Sequence, residues 1–461
     1  GLLAGGLSGG LDGDLRDLVS RGLLHYDAAE RRFDLHPIVR RYSYDRLAGK
    51  ERDAEHVRLR DYFSAVPEVA KVTSLDDLAP VVELYHHTVR AGQYDEAITL
   101  FRDRINQATY FQFGAYQLII DLLRPLFVDG EDRPPRLKKE SDQAWALNEL
   151  ANSYSRSGQP RRAVPLYEAQ NRLQEKLGNK KNVAIGLGNL ANKLLVIGSF
   201  RAAEANLRRS IALCREISSE FQDAVGHEEL GRPLSYRGAY DEADAELDVA
   251  LKVFEEQKDA QSQCIVWAYR ALRELLLVRS LADSARLHIA QVSDTPLHTS
   301  EPRSASPHSA IRNPQSAISA ARRALELADE WARTRYPMER DYVRAHWLLG
   351  AAYRAAGETV DAEKHLHEAL ERCRRINLVE FEADILIDLA RLRADTGAAE
   401  EARRLAEEAL VIADRSGYVM QGADAHLELA KLAIARGEKE QALEHAREAK
   451  TRSEERRVGK E

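Results

Sequence analysis

The chain has 461 residues, 44% of them apolar and 31% charged, enough for a core and for an extensive solvated surface. A net charge of −7 argues against a broadly basic surface for nucleic acid, though not against one local basic patch, and three widely spaced cysteines leave no disulfide scaffold and no Cys-x-x-Cys zinc pair. No run approaches the roughly 18 apolar residues of a membrane span and no signal peptide is visible, so free thiols in a reducing cytoplasm are expected.

The amino end, GLLAGGLSGG, starts without Met inside an apolar segment, and no Lys-Ser or Lys-Thr follows its glycines to make a phosphate loop. Residues 15–24 (LRDLVSRGLL) have helical spacing. LLHYD and RRFDLH then alternate on either side of a turn at Asp27-Ala28-Ala29-Glu30, which reads as a hairpin. Pro37 opens a helix through Leu47, since proline fits the first helical turn without losing a bond. Helix, hairpin, helix over 1–66 reads as a partial winged-helix domain. His36 stands at the strand-to-helix junction, where unpaired N–H groups and a partial positive charge favour an anion. It can add a donor there, or simply cap the helix or pack beside Phe33.

Residues 67–127 read as a helical connector carrying a first, degenerate helix pair marked by Leu84, Gly92 and Ala97. Residues 128–142, with Pro134-Pro135, read as a charged linker. A period of forty residues then sets in. Gly158, Gly198 and Gly238 are evenly spaced, as are Gly357, Gly397 and Gly437. Five residues after each glycine stands an alanine (Ala163, Ala203, Ala243, Ala362, Ala402, Ala442). Eight residues before it stands the leucine of a Leu-Ala or Leu-Gly pair (Leu150, Leu190, Leu230, Leu349, Leu389, Leu429).

Such spacing suits antiparallel helix pairs: leucine anchors the first helix, the small residue beside it admits the second, and glycine takes the turn. The repeats cover 143–291 and 316–451. A further degenerate copy has Leu272 as anchor, Ser280 in the turn and Ala285 after it. The stretch 292–315, with four prolines and little apolar periodicity, is expected to be a disordered insertion, though a binding loop fits as well.

The repeats (LANSYSRSGQPRRA, LGNLANKLLVIGSFRAAEANL) resemble the tetratricopeptide repeat in a long-helix form, with Arg393 and Ala433 where the pattern prefers larger apolar residues. Joined to RGLL…RFDLHPIVRRYSYDRL and GQYDEA, they resemble the C-terminal half of a signal-transduction ATPase of the STAND class. The resemblance implies an all-α superhelical sensor behind a winged helix. It also implies an upstream nucleotide-binding domain in cis, ADP or ATP bound by the parent rather than by this part, and oligomerisation of the parent on activation. It further implies that His36 contacts the β-phosphate of ADP; Pro37 departs from the acidic residue that the plant-type motif has there.

A groove lined by first helices is the expected binding surface for a protein or peptide. Asn148, Asn152, Asn189, Asn192, Arg232 and Lys431 occupy its inward positions, either as backbone-binding groups or as solvated wall. No catalytic site is expected. His86-His87 and His365-x-His367 lack a third ligand, and adjacent helical residues diverge by about a hundred degrees. Three functions stay open: sensor of a STAND ATPase, stand-alone repeat adaptor, and winged-helix transcription regulator, the last drawing on Arg31, Arg32, Arg40 and Arg41. The final ten residues, RSEERRVGKE (452–461), match the translation of a common DNA-sequencing adapter, so the chain reads as a metagenomic fragment cut at both ends.

Overall fold

A computed structural model describes residues 11–28, 32–293 and 314–458. Residues 29–31, most of the proline-rich insertion and the extreme ends fall outside the described residues. The chain divides into two compact units, Gly1–Ala108 and Thr109–Glu461.

The first unit begins with helix α1 (Leu11–Ser20), strands β1 (Leu24–Asp27) and β2 (Arg32–Leu35), and helix α2 (Pro37–Arg46). The strands pair antiparallel, with Leu24 opposite Leu35 and Tyr26 opposite Phe33. The Tyr26 and Phe33 rings lie 4.6 Å apart, a cross-strand aromatic pair that helps hold so short a ladder. Gly22, at φ +67°, makes the turn from α1 into β1. Helix α3 (Gly49–Ser64) then packs on α4 (Ala79–Arg90), which is followed by α5 (Tyr94–Leu100) and a π-helical stretch, Phe101–Ile105. Leu84, Tyr85, Ala97, Ile98 and Phe101 form its core.

The second unit opens with α6 (Tyr116–Leu123) and continues as consecutive helix pairs: α7 (Glu140–Arg156) with α8 (Pro160–Lys176), α9 (Lys180–Val196) with α10 (Phe200–Glu216), and α11 (Glu220–Arg237) with α12 (Tyr240–Glu256). Next come α13 (Ala260–Ser293) with α14 (Gln315–Thr334), α15 (Glu339–Ala355) with α16 (Thr359–Arg375), α17 (Val379–Asp395) with α18 (Ala399–Ser416), and α19 (Val419–Ala435) with α20 (Lys439–Val458). Each helix packs on its partner and on the next pair, making an all-α solenoid. All six marker glycines sit in these turns with φ between +77° and +86°. The small residues work as expected: a Cβ on Gly350 would lie 2.7 Å from Leu366 Cγ and 2.9 Å from its backbone nitrogen.

Three features differ from the sequence reading. Ser280 does not make a turn. Helix α13 runs through it to Ser293, because SLADSARLHIAQ contains no breaker and serine gains nothing from a left-handed backbone; α14, beyond the insertion, serves as the second helix. The Pro-Pro segment is packed rather than free: Leu137 is buried, and Glu131 accepts from Tyr154 Oη at 2.7 Å and Arg162 Nη2 at 2.9 Å. A second series of turns, between one pair and the next, also repeats every forty residues, at Gly178, Ser218 and Lys258 and again at Asn377 and Gly417, all with positive φ.

Ser218 and Lys258 carry side chains in a backbone region that disfavours them. Ser218→Gly and Lys258→Gly are each expected to stabilise by about 0.5–1 kcal/mol, the left-handed cost less glycine's extra freedom when unfolded, read as a higher urea midpoint.

Histidines pair across helices within the array. His346 Nδ1 lies 2.8 Å from His365 Nδ1, and His426 Nδ1 lies 3.0 Å from His445 Nδ1, two repeats on. The repeat between them has Leu386 and Leu405 at the corresponding positions. Burial, then His365, lowers the His346 pKa to about 4. The unfolded chain therefore takes up the proton first as pH falls below 6.5, and stability declines from there toward pH 4, by about 1 kcal/mol after solvent screening. Urea midpoints at pH 7 and 5 measure this, and the His346→Leu/His365→Leu double variant is expected to remove that part of the slope.

Candidate ligand channel

The first helices of the pairs face one another across an internal channel. Its walls come from α9 (Leu195, Val196), α11 (Arg232, Tyr236), α13 (Tyr269, Leu272, Arg279), α15 (Arg344, Trp347, Leu348), α17 (Glu380, Phe381, Asp384, Asp388) and α19 (Met420, Gln421, Asp424). Two small adjoining cavities, of about 30 and 90 Å³, both meet Tyr236, Trp347, Asp384 and Gln421.

The channel is closed because the array folds back on itself. Glu380, at the start of α17, accepts from Arg156 Nη1 of α7 at 2.7 Å and from Lys193 Nζ of α9 at 3.0 Å. Glycines at the turns leave room for side chains of the facing part of the array. A Cβ on Gly158 would lie 2.7 Å from Val379 Cγ1, one on Gly198 3.1 Å from Val419 Cγ1, and one on Gly417 2.6 Å from Arg161 Nε. All three clasp side chains are largely buried. Burial alone would raise the Glu380 pKa, but Lys193 and Arg156 hold it far below the carboxylate range. Burial brings Lys193 down to about 8 against the pull of Glu380.

One helical turn apart on α17 stand two further carboxylates. Asp388 accepts from Arg279 Nη2 at 2.8 Å, Arg391 Nη1 at 3.0 Å and Trp347 Nε1 at 2.8 Å. Burial would raise its pKa, and Arg279 and Arg391 instead bring it to about 2. Asp384, between Glu380 and Asp388, accepts only an amide, Gln421 Nε2 at 2.9 Å, among the bonds seen for it. Burial first, then Asp424 and Asp388, push its pKa up to about 7.

The groove residues expected from the sequence fall in different places. Asn189 Nδ2 donates to Asn148 Oδ1 at 3.4 Å, and Arg232 Nη2 donates to Asn192 Oδ1 at 2.6 Å, so these link successive first helices. Asn152 accepts from Tyr167 Oη at 2.6 Å, which turns it toward the second helix of its own pair. Lys431 is exposed and reaches Glu428 at 3.0 Å, on the rim of the Arg391 network. Of the six, Arg232 lines the smaller of the two cavities. Sequence reading missed Arg344, Trp347, Asp384 and Gln421. Counting forty from Arg344 lands on Asp384, and forty from Asp384 lands on Asp424, so a column read along the repeat would have found this wall.

In the first unit, His36 is exposed and caps α2, its Nδ1 accepting from the Ile38 N–H at 3.3 Å. Pro37 has no N–H and the Ile38 N–H is used in the cap, so this helix mouth offers an anion fewer donors than an ordinary helix start. The His87 imidazole weighed above lies 3.0 Å from His56 Nδ1. Among the described residues no cluster of three or more metal-binding side chains occurs, and no helix is long and apolar enough to cross a membrane.

Residues 146–181 and 341–415 match the tetratricopeptide repeat family. No curated protein sequence matches the chain. Among solved structures it is similar to a Rap protein complexed with Competence and Sporulation Factor, at 12% identity over 83% of this chain and 99% of that one, with a TM-score of 0.52. It is similar to the Rap conjugation gene regulator of plasmid pLS20 in complex with the Phr* peptide, at 14% identity over 85% and 98% of the two chains, with a TM-score of 0.54. A STAND protein with a tetratricopeptide repeat sensor from Pyrococcus horikoshii matches at 14% identity and a TM-score of 0.39. That match covers 96% of this chain and 58% of the other, so the chain spans little more than half that protein's length. The chain therefore carries tetratricopeptide repeats, built into an all-α solenoid preceded by a small unit with one hairpin.

Proposed function

We propose that the repeat array is the sensor and scaffold of a STAND-type signalling ATPase, taking a protein or peptide inducer into its channel. The observation that carries this is a set of buried polar atoms without hydrogen-bond partners on the channel walls: Arg232 Nε, Arg344 Nε and Nη1, and Gln421 Oε1. Buried donors and acceptors are costly to leave unpaired, and an extended peptide supplies both kinds along its backbone. The two Rap structures, whose partners are a competence and sporulation factor and a peptide, support the choice of occupant by fold alone.

The coupling to nucleotide rests on the sequence resemblance. In this reading the front helix–hairpin–helix is a winged-helix remnant, and His36, with Nδ1 used in its cap, keeps Nε2 to donate to a phosphate of ADP held by a domain in cis. An inducer preferring the open array shifts a closed population toward an active oligomer.

Panning a random peptide library against the protein tests the binding step. Enriched peptides that lose at least tenfold in affinity for the Arg344→Ala variant are expected; enriched peptides that bind the variant equally, or no enriched family, count against it. The coupling falls if a protein bearing both regions hydrolyses nucleotide at one rate with the array present and deleted.

A further inference from the structure

Three carboxylates on α17, Glu380, Asp384 and Asp388, follow one another at intervals of four residues and line the same channel. The outer two are saturated by cations: Arg156 and Lys193 on Glu380, Arg279 and Arg391 on Asp388. No cation pairs with the middle one among the described residues. A half-buried carboxylate without a counter-ion is destabilising, and two neighbours of like charge add to that.

Gln421 sharpens the chemistry. It is 4% exposed, its Nε2 is committed to Asp384 Oδ2, its Oε1 has no donor, and both residues line the same cavity. Carboxylate and amide oxygen together form an acceptor pair that calls for a cation with several N–H groups. Arg344 does not fill this role. It is stacked against Tyr269 and Phe381, at 5.3 and 5.7 Å, and lies 3.8 Å from Asp341, with Nε and Nη1 left without acceptors.

We propose that Asp384 and Gln421 form a subsite for a basic side chain, arginine or lysine, of the peptide in the channel, while Arg232 and Arg344 take carbonyl oxygens of its backbone. This deepens the peptide-sensor reading and rests on it for the occupant. The charged and titratable groups that share its cavities are Arg232 and Tyr236 from α11, Tyr269 and Arg279 from α13, Arg344 from α15, Glu380, Asp388 and Arg391 from its own helix, and Asp424 from α19. Its carboxyl gives up a proton near neutrality, so a cation should bind more tightly as pH rises from 6 to 8, by about tenfold.

The test is calorimetric titration of the whole chain with capped Ala-X-Ala peptides, X being arginine, citrulline or norleucine, and with L-argininamide alone. Arginine is expected to bind at least tenfold more tightly than citrulline, an isosteric neutral residue. Asp384→Asn should abolish that preference, and Gln421→Glu, which adds a second carboxylate, should increase it. Citrulline and arginine binding alike overturns the subsite and leaves the peptide channel standing. L-argininamide binding to wild type and not to Asp384→Asn, with no peptide bound, supports the subsite and counts against a peptide occupant. Absence of binding by L-argininamide and by the arginine peptide overturns the subsite.

Discussion

Replacing Glu380 by Gln is expected to destabilise the repeat unit by about 3–5 kcal/mol, the range for removing one partner of a buried ion pair. The loss falls on the cations left behind. Lys193 can shed its proton, since burial already brings its pKa to about 8, but Arg156 stays charged at any working pH. Urea unfolding followed by circular dichroism measures the change. Restoring neutrality with apolar side chains, Glu380→Leu with Arg156→Met and Lys193→Met, is expected to recover most of it, because burying charges costs nearly what their attraction returns.

The clasp also has a pH signature. The Glu380 pKa is depressed in the folded state, so its stabilisation is present above the unfolded value of 4.5 and is lost as pH falls toward the folded one. The unfolded chain binds the proton first in that window, which gives acid unfolding a step that Glu380→Gln removes.

Gly158→Ala should cost more than Gly238→Ala, although both glycines make the same turn at φ +80° and +84°. At Gly238 no atom lies within 4 Å of an added Cβ, so only the left-handed backbone penalty of about 1–2 kcal/mol applies. At Gly158 the methyl would meet Val379 Cγ1 at 2.7 Å and Ser416 Oγ at 2.9 Å, adding a further 1–3 kcal/mol, roughly, of overpacking. Equal costs at the two positions would mean that the turn of α7 and α8 does not touch α17 and α18. Thermal or urea midpoints of the two single variants, measured side by side, decide the matter.

The helix pairs were legible because their determinants are local. A glycine every forty residues needs only its own φ, and the leucine and alanine markers need only the adjacent helix. The hairpin was legible for the same reason, through alternation over a few residues and Pro37 at the next helix start. The turns at Ser218, Lys258 and Asn377 were hidden because side chains, of which only that of asparagine suits the left-handed region, stand where Gly178 and Gly417 stand in other repeats. Ser280 misled in the opposite direction, since position in the period suggested a turn and the absence of any breaker overrode it.

What periodicity could not carry is the return of the array upon itself. Arg156 and Glu380 are far apart in sequence, and nothing in either repeat marks the other as its partner. Asn152 shows the same limit on a smaller scale: its side chain turns to Tyr167, a choice settled by packing within one pair. In sequence Asp384 looks like any other carboxylate on a helix, and what sets it apart is the saturation of Glu380 and Asp388 on either side.

A closed array is tested most directly by a cysteine pair across the seam. Arg161 Nε lies 2.6 Å from where a Cβ on Gly417 would stand, and the native Cys214, Cys264 and Cys373 are buried. In an Arg161→Cys/Gly417→Cys variant, a short bismaleimide should join the two positions within the monomer far faster than in the Arg161→Cys/Lys439→Cys control, yielding a peptide that spans both sites on digestion. Equal, slow reaction of the two pairs would mean an open solenoid without an enclosed channel.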